Sequence, residues 1–244
     1  MIHWKWRSTR KKLYEVTYVG WSAILSGAID LMGFVFLLLF FALEAPRWIE
    51  SGEPNTPPLF GTLNDASFIF VALFMIPVAV ALNKMNQSQS PTFSLISLVT
   101  GVTGMLATAI IQALYVPRLI QTAQQGVLLG TALFLIGFWM ILVSALGRAT
   151  NLPRGLAWLG IVAGVSIILL PVTVIAIGGS AFLDDPSIAL RSPLFMFAFA
   201  AGVLGFSLGY AIWAILLGRL FLTGKLTMPD IESLEKPHRK SLTV

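Results

Sequence analysis

One acidic residue, Asp30, lies near the middle of a long apolar stretch of the sequence. Insertion scales put a carboxyl at the centre of a membrane helix at about 3 kcal/mol unfavourable, so Asp30 is expected to face the interior of a helix bundle. Buried acids of this kind act as proton, cation or substrate sites, or they hydrogen-bond one helix to another. The sequence leaves both interpretations open. Polar residues on other apolar stretches that could meet Asp30 include Gln112, Ser207 and Tyr210.

Other reactive side chains are scarce. The sequence has no cysteine, and its two histidines, His3 and His238, lie in polar segments outside the apolar stretches. We therefore predict no bound metal, haem or other cofactor, because the usual thiolate and imidazole ligands are missing from those stretches. No sequence motif of a known hydrolase or nucleotide-binding enzyme occurs either, so we do not expect an enzyme.

The elements that must position these residues are transmembrane helices. Of the 244 residues, 57% are apolar and 11% are charged, and the mean hydropathy is +0.84. A spanning helix needs about 20 mostly apolar residues. Six stretches reach or approach that length, at 19–43, 66–82, 92–116, 127–146, 156–178 and 194–217. The sequence thus predicts an all-α, polytopic six-helix bundle at 19–222, between a basic tail at 1–18 and a short tail at 223–244.

The distribution of Lys and Arg predicts the orientation of these helices. Of the 16 basic residues, all but Arg47, Arg118 and Arg191 fall on the side that carries both ends of the chain. Basic residues concentrate on the cytoplasmic side, so we predict a plasma (inner) membrane protein with both termini in the cytoplasm. The basic amino-terminal tail, which also contains Trp4 and Trp6, suits anionic lipid headgroups. An ordinary positive-inside anchor is the simpler interpretation, and no nucleic-acid partner is expected.

Small residues recur at spacings that allow helices to approach closely. Pairs of glycines three or four residues apart occur in the third, fifth and sixth apolar stretches, at Gly101 and Gly104, Gly160 and Gly164, and Gly205 and Gly209. Such pairs let two helix backbones come into contact. We expect them to pack helices within the bundle, and a homo-oligomer face is the alternative.

The two halves of the chain share short sequence patterns. Pro77 and Pro171 lie in similar contexts in the second and fifth apolar stretches, and could form a pair of helix breaks. Three helices per half would make the halves inverted relative to one another, an arrangement found in transporters. The alternative to a repeat is chance similarity, which is common between apolar segments.

The fifth apolar stretch opens with Pro153-Arg-Gly-Leu-Ala-Trp-Leu-Gly160, and Trp213 lies in the sixth. This segment resembles an uncharacterised family of bacterial multi-pass membrane proteins that carry Pro-Arg-x-Leu-x-Trp-Leu-Gly at the start of a late helix. The resemblance implies a bacterial inner-membrane protein and no particular activity. Two functions are therefore carried forward. The first is a non-catalytic accessory or interaction subunit, and the alternative is a small transporter or channel with a 3+3 inverted repeat and Asp30 as its proton, cation or substrate site.

Overall fold

The computed structural model describes residues 2–46, 58–150, 152–177 and 192–226, and every regular element in these residues is helical. The elements are α1 (Ile2–Leu39), which continues as a π-helical turn (Phe40–Glu44), then α2 (Leu59–Asn86), α3 (Pro91–Tyr115), α4 (Thr122–Ala149), α5 (Arg154–Ile177) and α6 (Pro193–Leu222). Helix α6 changes to π-helical geometry at Gly205–Tyr210 and back to α-helix at Ala211–Leu222.

Each predicted apolar stretch coincides with one helix, and the six helices are long and apolar enough to cross a membrane. The predicted all-helical architecture with six such helices is therefore confirmed. The boundaries differ in two places. Helix α1 is continuous from Ile2, so most of the predicted basic tail at 1–18 is helical. Helix α2 begins at Leu59 and not near residue 66, because Pro58 precedes it in an extended conformation that suits a helix start. The connection at 47–57 and residues 227–244 of the predicted tail lie outside the described residues.

The six helices form a closed ring. Each helix packs against the next one along the chain, and α6 returns to pack against α1. The middle of the ring is filled by large side chains with no exposed surface, including Met75, Trp139 and Trp213, whose two indoles meet edge to face at 5.9 Å. Large apolar side chains such as Ile110 and Phe197 cover the outside of the ring, as expected of a surface in contact with lipid.

Glycines set the closest approaches between neighbouring helices. A Cβ added at Gly164 on α5 would lie 2.6 Å from the carbonyl oxygen of Gly137 on α4. The same arrangement joins α6 to α1, where a Cβ at Gly218 would lie 2.5 Å from the carbonyl oxygen of Gly20. At both crossings, absence of a side chain lets one backbone rest on the other.

The glycine pairs predicted from the sequence also meet other helices of this bundle. Gly101 and Gly104 on α3 face α4, Gly160 and Gly164 on α5 face α4, and Gly205 and Gly209 on α6 face α5. Gly101 rests on the Trp139 ring, and Gly160 lies against Trp213 of α6 in addition to α4. All six glycines therefore pack against other helices of the same chain.

The predicted pair of helix breaks is wrong. Pro77 and Pro171 both lie inside continuous helices, α2 and α5. A proline removes one backbone hydrogen bond and bends a helix, but neighbouring helices in a membrane bundle can hold the two halves together. The irregular turns occur instead in α1 and α6, as the π-helical segments Phe40–Glu44 and Gly205–Tyr210.

The ring order bears on the predicted inverted repeat. A twofold axis in the membrane plane would reverse the direction in which successive helices follow one another around the ring. Helices α1 to α6 follow one another in a single direction and close on themselves. The packing therefore gives the repeat no support, and a transport function has to be argued from other observations.

Candidate functional site: a buried acid and a polar cavity at one end of the ring

Three polar residues follow one another on a single face of α1. Ser22, Ser26 and Asp30 are spaced four residues apart, so they lie on successive turns of the helix. All three are buried, with exposed fractions of 2%, 0% and 4%. Asp30 thus faces the interior of the bundle and not lipid. We call these three residues the polar ladder of α1.

The two serines of the ladder are hydrogen-bonded to other helices. Ser22 donates to the backbone carbonyl of Phe74 on α2 at 2.7 Å, and Ser26 donates to the carbonyl of Val71 at 2.9 Å. The Tyr210 hydroxyl of α6 lies 2.7 Å from the Ser26 hydroxyl. Because a serine has one hydroxyl proton and Ser26 gives it to Val71, the Tyr210 hydroxyl is the donor in that pair.

Asp30 differs from the serines. Its Oδ2 atom is buried and has no hydrogen-bond partner among the described residues, although the carboxyl lies within electrostatic reach of Tyr210. A buried carboxylate without partners is costly unless a proton or a cation neutralises it. Such a group can take up and release a proton, or it can offer an anionic oxygen to a small cation.

The π-helical segment of α6 positions Tyr210 for its contact with Ser26. Single π-helical turns inside α-helices often occur at functional sites, because the extra residue per turn redirects nearby side chains. Phe206 and Tyr210 of this segment stack with ring centroids 5.3 Å apart, and Ser207 between them is also buried. The segment therefore contains two of the predicted site residues, Ser207 and Tyr210.

A small cavity lies between Tyr210 and the middle of the ring. Its volume of about 10 Å³ is close to the space that one water molecule needs. Thr108 on α3 contributes to its lining, and the buried Thr108 hydroxyl makes no hydrogen bond within the described part of the chain. The described residues therefore leave little free space at the centre of the bundle.

A larger cavity of about 190 Å³ opens at the end of the ring opposite the chain termini. We call it the end cavity. It lies between α1, α2 and the connection from α3 to α4. Its polar lining residues are Thr62, Asn64, Asp65, Tyr115, Arg118 and Thr122. The half-buried Asp65 and the exposed Arg118 place charges of opposite sign on one cavity.

Gln112 is not part of the polar ladder and lies next to Asp65, a residue that lines the end cavity. Its side chain lies beside the carboxyl of Asp65, and its amide oxygen accepts a hydrogen bond from Gln125 at 3.5 Å. Of the four predicted polar residues, the structure thus brings Asp30 and Tyr210 together, places Ser207 in the same π-helical segment as Tyr210, and puts Gln112 elsewhere.

The end cavity and the polar ladder lie close to each other. Gly33, three residues beyond Asp30 on α1, packs against the Ser67 hydroxyl and the Asn64 side chain of α2. Asn64 also lines the end cavity. Three residues of α-helix span about 4.5 Å along the axis, so Asp30 is about one turn from the polar side chains beneath the cavity.

Several residues of these sites were missed in the sequence. Ser22 and Ser26 could have been found from their four-residue spacing to Asp30. Asp65 lies outside the predicted apolar stretch 66–82, because α2 begins earlier, at Leu59. Nothing in the sequence indicates that Arg118 lies near Asp65.

The described residues contain no group of three His, Asp or Glu side chains that could hold a metal ion. Taken together, the described residues form six helices that are long and apolar enough to cross a membrane, with a buried acid and a polar cavity at one end of the ring, which is consistent with a multi-pass membrane protein. No protein-family profile, curated protein or solved structure matches the chain.

Proposed function

We propose that this chain is a non-catalytic inner-membrane protein that takes up a proton or small cation at Asp30, and that it acts as a small transporter. The observation that carries the proposal is the buried Oδ2 atom of Asp30, which has no hydrogen-bond partner among the described residues. The two serines on the same face of α1 both donate hydrogen bonds to α2. Acids inside a membrane bundle are rare and costly, and they commonly serve ion or proton movement.

The competing role for Asp30 is to join helices by hydrogen bonds. A carboxyl that joins helices should form a hydrogen bond with a polar group on another helix. The interhelical hydrogen bonds in this region are made by Ser22, Ser26 and Tyr210, while no described residue is a hydrogen-bond partner of the Asp30 Oδ2 atom. This favours exchange of a proton or cation over a structural role.

Access to Asp30 is proposed from the end cavity. The cavity lies about one helical turn away, and Asn64 and Ser67 occupy the intervening space. In the opposite direction, the buried Trp139, Trp213 and Met75 fill the ring. In this arrangement Asp30 is closest to solvent at the end of the ring that carries the cavity.

The proposed topology places both termini in the cytoplasm and the end cavity outside. The excess of Lys and Arg at the end that carries the termini supports it. At that end, the Arg148 guanidinium lies 4.7 Å from the centre of the Trp158 ring, a contact suited to the membrane interface. Reporter fusions after Lys84, Gly147 and Lys225 should read cytoplasmic, and a periplasmic signal at the last position would overturn the topology.

The exchange function can be tested in two ways on the purified protein. In infrared spectra, the carbonyl band of a protonated carboxyl should titrate with pH in the wild type and be lost in Asp30→Asn. In liposomes loaded with a pH-sensitive dye, Asp30→Asn should abolish proton or sodium-coupled flux while the protein stays folded, because an amide replaces a protonated acid sterically. Glu15→Gln, near the polar end of the same helix, is the matched control and should behave as the wild type.

A second candidate function, an accessory or interaction subunit, is favoured by the tightly filled ring interior. It predicts no proton or sodium flux from the wild-type protein alone and no effect of Asp30→Asn on flux. Absence of flux in the wild type, with a normal fold, would favour this candidate over the transporter.

A further inference from the structure

We propose that the end cavity binds a small zwitterionic molecule, with Asp65 holding its ammonium group and Arg118 its carboxylate or phosphate group. This site is separate from Asp30, and the inference does not depend on proton or cation exchange there.

The cavity carries two opposite charges that do not form an ion pair with each other. Asp65 and Arg118 both line it and influence each other electrostatically. Within the described part of the chain, no direct ion pair joins them. The Arg118 guanidinium contacts the Tyr115 side chain instead, with its carbon 5.2 Å from the ring centre and one nitrogen 3.3 Å from the hydroxyl oxygen. A molecule with an ammonium at one end and an anionic group at the other could bridge the two charges.

The backbone at Arg118 indicates that an arginine is held there for its side chain. Arg118 has a φ of 62°, a left-handed conformation that normally favours glycine. The hydrogen bonds from Arg118 N to Tyr115 O and from Leu119 N to Leu114 O close the end of α3 in the usual way for such a residue.

The end of α6 provides the comparison within the same chain. There Gly224 has a φ of 69°, and Gly224 N and Lys225 N make the equivalent bonds to Phe221 O and Leu220 O. Closing the helix thus needs only a glycine. Arginine is less favourable than glycine in this left-handed conformation, so stability of the turn does not explain it.

The size of the cavity limits the ligand. One water needs about 10–15 Å³ of such space, so a cavity of about 190 Å³ has room for several waters and for an amino acid or a lipid headgroup. Thr62, Asn64 and Thr122 add neutral hydrogen-bonding groups to the wall. An ammonium with an anionic group a few bonds away occurs both in free amino acids and in the ethanolamine headgroup of membrane lipids, and either source satisfies the same two charges.

The test is calorimetric titration of the purified full-length protein with three probes of similar size: glycine, ethylamine and propionate. Charge-assisted hydrogen bonds of ordinary strength predict that glycine binds about 10- to 100-fold more tightly than either singly charged probe. Equal affinity for the three probes, or no saturable binding of glycine, would overturn the proposal.

Two variants separate the two charges. Asp65→Asn should lower glycine affinity to that of propionate, and Arg118→Gly should lower it to that of ethylamine. Arg118→Gly suits this purpose because glycine fits the left-handed backbone, so the variant should melt at or above the wild-type temperature. Arg148→Gln removes an arginine with a similar aromatic contact at the other end of the ring and should leave binding unchanged. Retention of full glycine affinity by Arg118→Gly would refute the site.

A final comparison identifies the natural source of the zwitterion. The protein is placed in nanodiscs of phosphatidylglycerol or of phosphatidylethanolamine and titrated with glycine. Block of glycine binding only in phosphatidylethanolamine would support the proposal with a lipid headgroup as the ligand. Equal binding in both lipids would support it with a free zwitterion as the ligand.

Discussion

The contact between α4 and α5 permits a quantitative prediction for Gly164→Ala. The added Cβ would lie 2.6 Å from the Gly137 carbonyl oxygen, about 0.8 Å closer than ordinary van der Waals contact at 3.4 Å. It would also lie 2.9 Å from Cγ1 of Ile141. The first of these atoms belongs to a helix backbone and cannot rotate away, so relief requires the two helices to separate.

Two opposing terms set the size of the effect. Alanine stabilises an α-helix by about 1 kcal/mol relative to glycine, and overpacking a well-filled contact costs typically 1–3 kcal/mol. Because the obstacle is backbone, we place the cost at the upper end of that range. We therefore expect Gly164→Ala to lower the free energy of unfolding by about 2 kcal/mol.

Gly155, on the same helix, is the matched control. A Cβ added there meets no atom within 4 Å, so Gly155→Ala should raise the free energy of unfolding by up to about 1 kcal/mol. Both values are measured by unfolding titration in mixed detergent micelles. Two alanine variants of equal stability, or a stabilised Gly164→Ala, would show that the glycine contact does not set the distance between α4 and α5.

Two further predictions concern hydrogen bonds between helices. Ser26→Ala leaves the buried Tyr210 hydroxyl without its acceptor, so we expect a loss of about 1–3 kcal/mol in the free energy of unfolding. Glu44→Gln weakens the carboxylate cap at the start of α2, where Glu44 accepts the backbone N–H groups of Phe60 and Gly61 at 3.0 and 3.3 Å. Loss of the negative charge at a helix amino terminus should cost about 0.3–1 kcal/mol, measured in the same titration.

The chain offers a control for Ser26→Ala. Thr131→Ala removes an exposed hydroxyl that donates only to its own helix, at the carbonyl of Val127, and should change stability little. An equal effect of Ser26→Ala and Thr131→Ala would contradict the role given to the contact between α1 and α6. For Glu44, unchanged stability of the Gln variant would mean that a neutral acceptor caps α2 equally well.

The sequence alone determined the number and type of the helices. Apolar length is a local property, and a stretch of about 20 apolar residues must become a helix in lipid because its backbone has no other hydrogen-bond partner. The burial of Asp30 inside the bundle follows from the same physics, since exposure of a carboxyl to lipid is costly. The bounds of α2 did not follow, because its first turn, Leu59–Thr62, is followed by the polar pair Asn64 and Asp65, which resembles a loop.

Only the tertiary structure decided which polar residues meet. Ser26 and Tyr210 are 184 residues apart, and their contact depends on the closure of the ring and on the π-helical turn of α6. Asp65 and Arg118 meet at one cavity because α2 and the end of α3 lie side by side. A single sequence records hydrophobicity residue by residue. Which faces of two helices meet depends instead on packing between segments far apart in the chain. That packing creates both candidate sites.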